Sequence, residues 1–528
     1  MDDNRISIAV IGAGPRALGA LEALARRLKH SDHPVGIDIF DPDSDPGAGP
    51  NFMPDDSPLM LLNLPLRNLD LGQASAFPDL TDWLAPALAS PERYPPRAEI
   101  GSYLAARFNA LATTSLHLRV IRNRATALHR VGNRWHIEAG RIHGPYDEVL
   151  LTQGQPESLP DDQLRGWQDH AATSPAELLN AYPGTRLLDA AQNWAGRVVA
   201  IRGLGLSTLD VMRLMTIGLG GRFKDGRYHP SGREPSRIIP FSPDGQPPIP
   251  KPANAALDAL FEPTEAETAA FRDALQTAIR GGSDDATNRL CAAFVTPATR
   301  ILRQTGGDVD ALHDWLETEK TDPGTQDSRD TASALRSGLA EANGTAPPSP
   351  GYVTGQLMRK WQNELRKGFN PARIAPETAK AIIGFDEGLK RYSYGPPVES
   401  AAELLTLIEA GLVQPRIAGE DDVTTTPDGW QLDRDDPDSA TGIMVDAVLP
   451  SPDLAKVSDP LLAGLLKKGH IKPFADGLGA RTDADGRVAP GLSLLGRMAI
   501  GSVIAVDSLH DCFGATADRW AKAVLART

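Results

Sequence analysis

The residues that could do chemistry in this chain are chiefly glycines. Gly12-Ala13-Gly14-Pro15-Arg16-Ala17 follows the apolar run from Ile6 to Ile11 and opens a helical pattern with Leu18, Leu21, Ala25 and Leu28 on one face. Strand, glycine turn and helix in this order are the context that a G-x-G-x-x-G/A match needs to bind a dinucleotide. Each position has a physical task. Gly12 permits the tight turn, Gly14 lets the backbone approach a pyrophosphate, and Ala17 lets helix and strand pack closely. Pro15 and Arg16 start a helix whose free N–H groups and positive dipole end suit phosphates. The next strand, Gly36 to Phe40, ends at Asp41, close to the spacing expected of a ribose-binding acid. A turn-starting role in the Asp41-Pro42-Asp43 run is the plainer alternative.

The pattern recurs. A strand over Arg197–Arg202 runs into Gly203-Leu204-Gly205-Leu206-Ser207-Thr208, with Leu209, Met212 and Met215 apolar in the helix beyond. Thr208 replaces the third small residue, so this turn alone is the weaker signal. Gly205-Leu206-Ser207 also matches the first half of a serine-hydrolase elbow. Leu209 stands where that motif needs glycine, however, and no partner histidine follows from the spacing. Two dinucleotide turns in one chain tell more than either alone. The hydride of a nicotinamide needs an acceptor, and a second nucleotide fold makes that acceptor a flavin. The basic residues Arg222, Lys224, Arg227 and Arg233 beyond the second turn predict a 2′-phosphate site, hence NADPH over NADH. A solvated basic loop is the alternative.

Further stretches carry a family resemblance. Asp45-Pro46-Gly47-Ala48-Gly49, Leu61-Leu62-Asn63, Tyr94-Pro95-Pro96-Arg97 with Gly101-Ser102-Tyr103-Leu104, and Pro230-Ser231-Gly232-Arg233-Glu234-Pro235 join the two turns in it. Together they resemble the FAD-NAD(P)-binding family of bacterial flavoproteins, similar in plan to the flavin-dependent N-hydroxylating monooxygenases. The resemblance covers most of the chain and thins within 255–350. It implies FAD and NADP as cofactors. It also implies reduction of the flavin by NADPH and, in the monooxygenase version, oxygenation of the nitrogen of a small amine or amino acid. A flavin dehydrogenase or reductase without oxygen transfer, and a non-catalytic redox sensor, stay open as alternatives. Two departures stand out. Thr152-Gln153-Gly154 replaces the usual Ala-Thr-Gly turn, keeping Gly154. Leu492-Ser493-Leu494-Leu495-Gly496-Arg497 places Arg497 where an aspartate usually holds the flavin ribityl chain, a duty that backbone groups or Asp507 could take over.

The elements that must position these residues define an α/β chain with two Rossmann-like dinucleotide-binding domains and a helical insertion. The FAD domain is expected over 1–160 and again over 470–528. The NAD(P) domain is expected over 196–450, with the insertion at about 255–415 and a flexible linker at 321–350. A net charge of −14 argues against the basic face that nucleic acids and anionic membranes require, and leaves room for local basic pockets for phosphates. Two cysteines without a Cys-x-x-Cys pairing argue against a dithiol relay or thiolate zinc cluster and fit a reducing cytoplasm. No apolar run approaches a membrane span. The partner is then a small-molecule substrate, and a homo-oligomer is compatible with the sequence. Asn63 could touch the flavin or nicotinamide ring, or simply form a turn. Arg97 could meet a phosphate or substrate carboxylate, or form a surface ion pair. His30 and His33 read as surface residues, and the segment Asp507–Asp511 as a helix cap. No residue declares itself a catalytic acid or base.

The first test is colour. Purified protein is expected to be yellow, or to take up added FAD, and Gly14→Leu is expected to abolish uptake, as read from the visible absorbance spectrum.

Overall fold

The computed structural model describes residues 6–29, 35–43, 45–326 and 328–527. His30 and His33 lie outside them. The run Ile6–Ile11 forms the central strand of a six-stranded sheet. Across the sheet the strands are Arg487–Ala489, Leu492–Leu494, Glu148–Leu151, Ile6–Ile11, Val35–Phe40 and His117–Ile121. All pair in parallel except the Arg487–Ala489 edge. Near-continuous apolar strands of this kind belong in sheets covered on both faces. One cover is the helix Pro15–Leu28, on which the last helix, Ala515–Ala526, packs. The chain therefore leaves this sheet at Leu151 and returns to it only at Arg487.

A second sheet, wholly parallel, runs Arg416–Ile417, Arg237–Ser242, Val198–Arg202, Ile443–Asp446, Glu177–Asn180. It begins earlier than the expected boundary at 196. Glu177–Asn180 and the helix Gly184–Ala191 belong to this layer, but four residues with one Leu-Leu pair are too short to read as a strand. Between its strands the chain inserts helices from Ala255 to Glu409. Their core stacks Phe271 on Trp361, with ring centroids 4.3 Å apart and planes 11° apart, and sets Phe294 edge-on to both. The polar stretch 321–350, expected as a flexible linker, holds the helix Thr331–Ala342, and the helix Pro350–Phe369 starts at its end. Two of its polar residues are helix caps: Asp330 accepts from the Ser333 N–H, and Ser349 from the Tyr352 N–H. Among the described residues no helix is long and apolar enough to cross a membrane, and no cluster of three or more His, Cys, Asp and Glu could hold a metal.

One ion pair is built into the first core. Arg107, on the helix Arg97–Ala110, gives Nε to Glu22 Oε1 at 2.7 Å and a second donor to Oε2, while its third donor meets the Leu71 carbonyl at 3.0 Å. Both side chains are 1% exposed. Removing one partner strands a charge in a low dielectric, so Glu22→Ala is expected to lose about 3–5 kcal/mol of stability. A urea titration followed by tryptophan fluorescence measures it.

Candidate functional site: a cleft between two nucleotide turns

Both glycine turns lie at the C-terminal ends of their sheets, where ligands of open α/β sheets bind. They open into one cleft of about 1830 Å³. Single ligand pockets reach about 1,000 Å³, so this volume suits more than one ligand. Gly12 has φ +90° and gives its N–H to the Phe40 carbonyl at 3.0 Å. A Cβ there would sit 2.7 Å from the Thr152 carbonyl, so the turn needs glycine for close approach as well as for its dihedral. Gly14 caps the helix Pro15–Leu28 without a side-chain hydrogen bond, and Gly14, Pro15 and Arg16 face the cleft. A helix start left uncapped in this way suits an anion. Ala17 is fully buried beneath it. Asp41 also faces the cleft, accepting from the Ala13 N–H and, at 2.8 Å, from the Asp43 N–H. The turn and its acid are thus one hydrogen-bonded unit.

Gly154, with φ +69°, and Gly496, with φ +102°, line the same cleft. Arg16 does so with its guanidinium already engaged. It binds the Asp511 carboxylate, the Asp511 carbonyl at 3.0 Å and the Val506 carbonyl at 3.1 Å, tying the first turn to the returning C-terminal segment. Asp507, the residue considered in place of the usual ribityl-binding aspartate, is occupied too. Arg497 Nη1 reaches it at 2.7 Å and Lys390 Nζ at 3.3 Å. Those two cations hold its carboxyl below the usual carboxylate range against the opposing effect of burial.

At the second turn Gly203, with φ +107°, turns the chain and gives its N–H to Phe241 O at 2.8 Å. Gly205, Leu206 and Ser207 face the cleft, and a Cβ on Gly205 would meet nothing within 4 Å. The adjoining strand Arg237–Ser242 ends at Ser242-Pro243-Asp244, which also lines the cleft. Asp244 therefore stands where the sequence offered no acid. Pro240 inside the strand hid it, because proline argues against a central strand.

Arg233 is a correction. It precedes Arg237, and the neighbouring Glu234 carbonyl accepts the Gly196 N–H at 3.1 Å, below the start of the Val198–Arg202 strand. Arg233 lies one strand length, roughly 17–20 Å, from the turn. Arg222, Lys224 and Arg227 form a hairpin on that same connection, and none of the four lines the cleft. The basic cluster is sequence-near and space-far. Ser242, Pro243, Asp244 and Gln246 line the cleft beside the second turn instead, with Arg391 donating to Gln246 Oε1 at 2.6 Å.

Arg97 lines the cleft but spends one donor on Asp210 Oδ2 at 2.8 Å, and the Tyr182 hydroxyl meets the same oxygen at 2.7 Å. Burial works against the Arg97 charge, yet Asp210 and Tyr182 raise the guanidinium above its ordinary value. Arg97 starts a helix of the first nucleotide half, and Asp210 lies on the helix of the second turn. Two more links run alongside. Asp56 accepts the Gly184 and Thr185 N–H groups at 3.2 and 2.8 Å, and Arg213 Nε meets the Leu59 carbonyl at 3.0 Å. Asn63 lines the cleft, its carbonyl held by Lys251 Nζ at 2.9 Å. Lys251 is a residue the sequence reading passed over.

Residues 9–156, which hold the first turn, Asp41, Asn63, Arg97 and Gly154, match a family model described as FAD-NAD(P)-binding. Over this stretch the chain is similar to the FAD-NAD(P)-binding flavoproteins. It is similar to a nitrosuccinic acid synthase of Aspergillus oryzae, 28% identical over 88% of this chain and 82% of that one. An L-aspartate N-monooxygenase (nitrosuccinate-forming) of Streptomyces davaonensis is 26% identical over 89% and 86%. Among solved structures, an ornithine N-hydroxylase of Kutzneria sp. 744 superposes with TM-score 0.51 at 11% identity, over 98% of this chain and 99% of that one. A cadaverine monooxygenase of Erwinia amylovora, bound to FAD, gives 0.50 at 11%, over 98% and 93%. At such identities the structures speak for the fold.

Because a side chain at Gly205 projects into open cleft rather than into protein, Gly205→Leu is expected to fold, keep its FAD and slow reduction by NADPH at least tenfold. Anaerobic stopped-flow bleaching of the flavin reads this, and concurrent loss of FAD would mean the second turn is misassigned.

Proposed function

We propose that this protein is an FAD-dependent N-monooxygenase, reduced by NADPH, that oxygenates the amine of a small amino acid of the aspartate type. The observation that carries the reading is that two strand–glycine–helix ends open into one cleft, so that two dinucleotides share a common space. Bound FAD would supply hydride acceptance and the activation of O₂. The chain's own residues bind and orient. Gly12, Gly14, Asp41, Gly154 and Gly496 form the part suited to FAD, and Gly205, Ser207, Ser242, Asp244 and Gln246 the part suited to the nicotinamide dinucleotide. The fit to a dinucleotide rests on the uncapped helix start at Gly14 and the unfilled space above Gly205.

The overall change balances simply. NADPH gives two electrons, one oxygen atom of O₂ is inserted into an amine N–H to make N–OH, and the other leaves as water. A deprotonated amine is the nucleophile this needs, and no side chain has to act as a covalent partner. The curated relatives that are named for aspartate or nitrosuccinate support the amino-acid class, as does the match along nearly nine-tenths of this chain. The cleft's helical wall belongs to the insertion between the strands of the second sheet.

L-Aspartate is expected to stimulate NADPH oxidation in air and to give a product heavier by one oxygen or more, with its nitrogen oxidised. Oxygen-electrode traces and mass spectrometry check both. NADPH oxidation that no amino acid or amine accelerates would return the protein to the reductase class.

A further inference from the structure

Beside the helical wall of the cleft stands a lysine that no carboxylate among the described residues meets within ion-pair distance. Lys251 faces the cleft and is 4% exposed. Its ammonium donates to two carbonyls, Asn63 O at 2.9 Å and Gly395 O. No carboxylate forms an ion pair with it among the described residues. Its neighbours are already matched. Asp258 takes Arg359 and, at 2.8 Å, Lys360, which also reaches Glu262 at 2.7 Å. Burial, reinforced by the nearby Arg359 charge and only partly opposed by Asp258, pushes the Lys251 ammonium well below the ordinary lysine value. A desolvated ammonium with carbonyl partners alone is an incomplete arrangement, because an opposite charge is what normally repays burial.

The lysine is also held rigidly in place. It belongs to Pro247-Pro248-Ile249-Pro250-Lys251-Pro252, where four prolines fix φ and leave an extended rod with little conformational freedom. The rod lies against the last turn of the helix Pro376–Ser393 and the first turn of the helix Pro350–Phe369: Ile249 N–H meets Arg391 O at 2.9 Å, and the Tyr352 hydroxyl meets Pro250 O at 3.1 Å. A Cβ on Gly395 would fall 1.7 Å from the Ile249 carbonyl, so only glycine permits this contact. Such rigidity reduces the ordering cost of ligand binding.

We infer that Lys251 is the receptor for a carboxylate of the substrate, with its third N–H and its unmatched charge directed to an anion in the cleft between the Asn63 loop and the helical insertion. The assignment rests on the N-oxygenase reading for the identity of the substrate but not for the existence of the receptor. It makes Lys251 a specificity-determining residue and the substrate a dicarboxylic amino acid, one carboxylate of which pairs with the lysine.

Succinate carries two carboxylates and no nitrogen, so its binding reads the receptor without the chemistry. Isothermal titration of succinate and of L-aspartate into the FAD-loaded enzyme is expected to show both binding. Lys251→Met is expected to weaken each tenfold or more, the scale of one charge-assisted hydrogen bond. Lys251→Arg, which keeps the charge, is expected to recover part of that loss, and retained FAD in both variants reports the fold. Equal affinities in wild type and Lys251→Met, or no binding of either compound to wild type, would overturn the assignment. Lys251-dependent succinate binding in an enzyme that oxygenates no amine would uphold the receptor and refute the N-oxygenase reading, so the two failures are distinguishable.

Discussion

The contact on which the cleft depends is the Arg97–Asp210–Tyr182 cluster. Each nucleotide half has its own core, and neither core by itself sets the angle between the sheets. Hydride transfer tolerates little error, since reacting atoms must come within about 3–3.5 Å. A directional, buried, charge-assisted contact fixes orientation better than apolar packing does. Arg97 extends from the first half, Asp210 from the helix after the second turn, and Tyr182 from the loop before Gly184. Asp56 and Leu59 bind to the same second half from nearby in sequence. The loop 53–97 therefore works as a plate bolted to both halves, and it also carries Asn63 to the cleft.

Charge is distributed around this plate with a purpose. The chain as a whole carries −14, yet the insertion presents Arg359, Lys360, Arg366 and Lys390 to the cleft. Most are matched internally, as Arg359 and Lys360 are by Asp258, and such matching keeps them charged without drawing in solvent ions. This electrostatic setting sits on the wall formed by the insertion, away from the two glycine turns.

The two glycine turns were legible because their chemistry is local. Strand, turn and helix follow one another within about a dozen residues, and the restriction on each position acts on the backbone there. Asp41 was legible for the same reason. What the sequence hid is what depends on folding back. Arg233 and its basic neighbours are near the second turn in sequence but lie at the wrong end of a strand, since a parallel strand reverses the sense of proximity between its two ends. Asp244 was concealed by Pro240. The helix Thr331–Ala342 was concealed by a composition that reads as linker, because its capping residues are the same types that make loops. Arg16 and Arg97 line the cleft, but their partners, Asp511 and Asp210, lie far along the chain and no spacing rule reaches them.

The path of the chain through the first sheet also has a consequence in time. Strands Ile6–Ile11 and Glu148–Leu151 leave the ribosome early, whereas Leu492–Leu494, which pairs with the latter, and the helix Ala515–Ala526 that covers Pro15–Leu28, come last. At roughly 5–20 residues per second of synthesis, the early half waits on the order of tens of seconds for its closing strand. Its apolar edge is open throughout, while the second sheet and the insertion can complete themselves in between. The first nucleotide site is thus assembled last although it is encoded first, and a nascent chain interrupted anywhere before Leu492 carries that site unfinished.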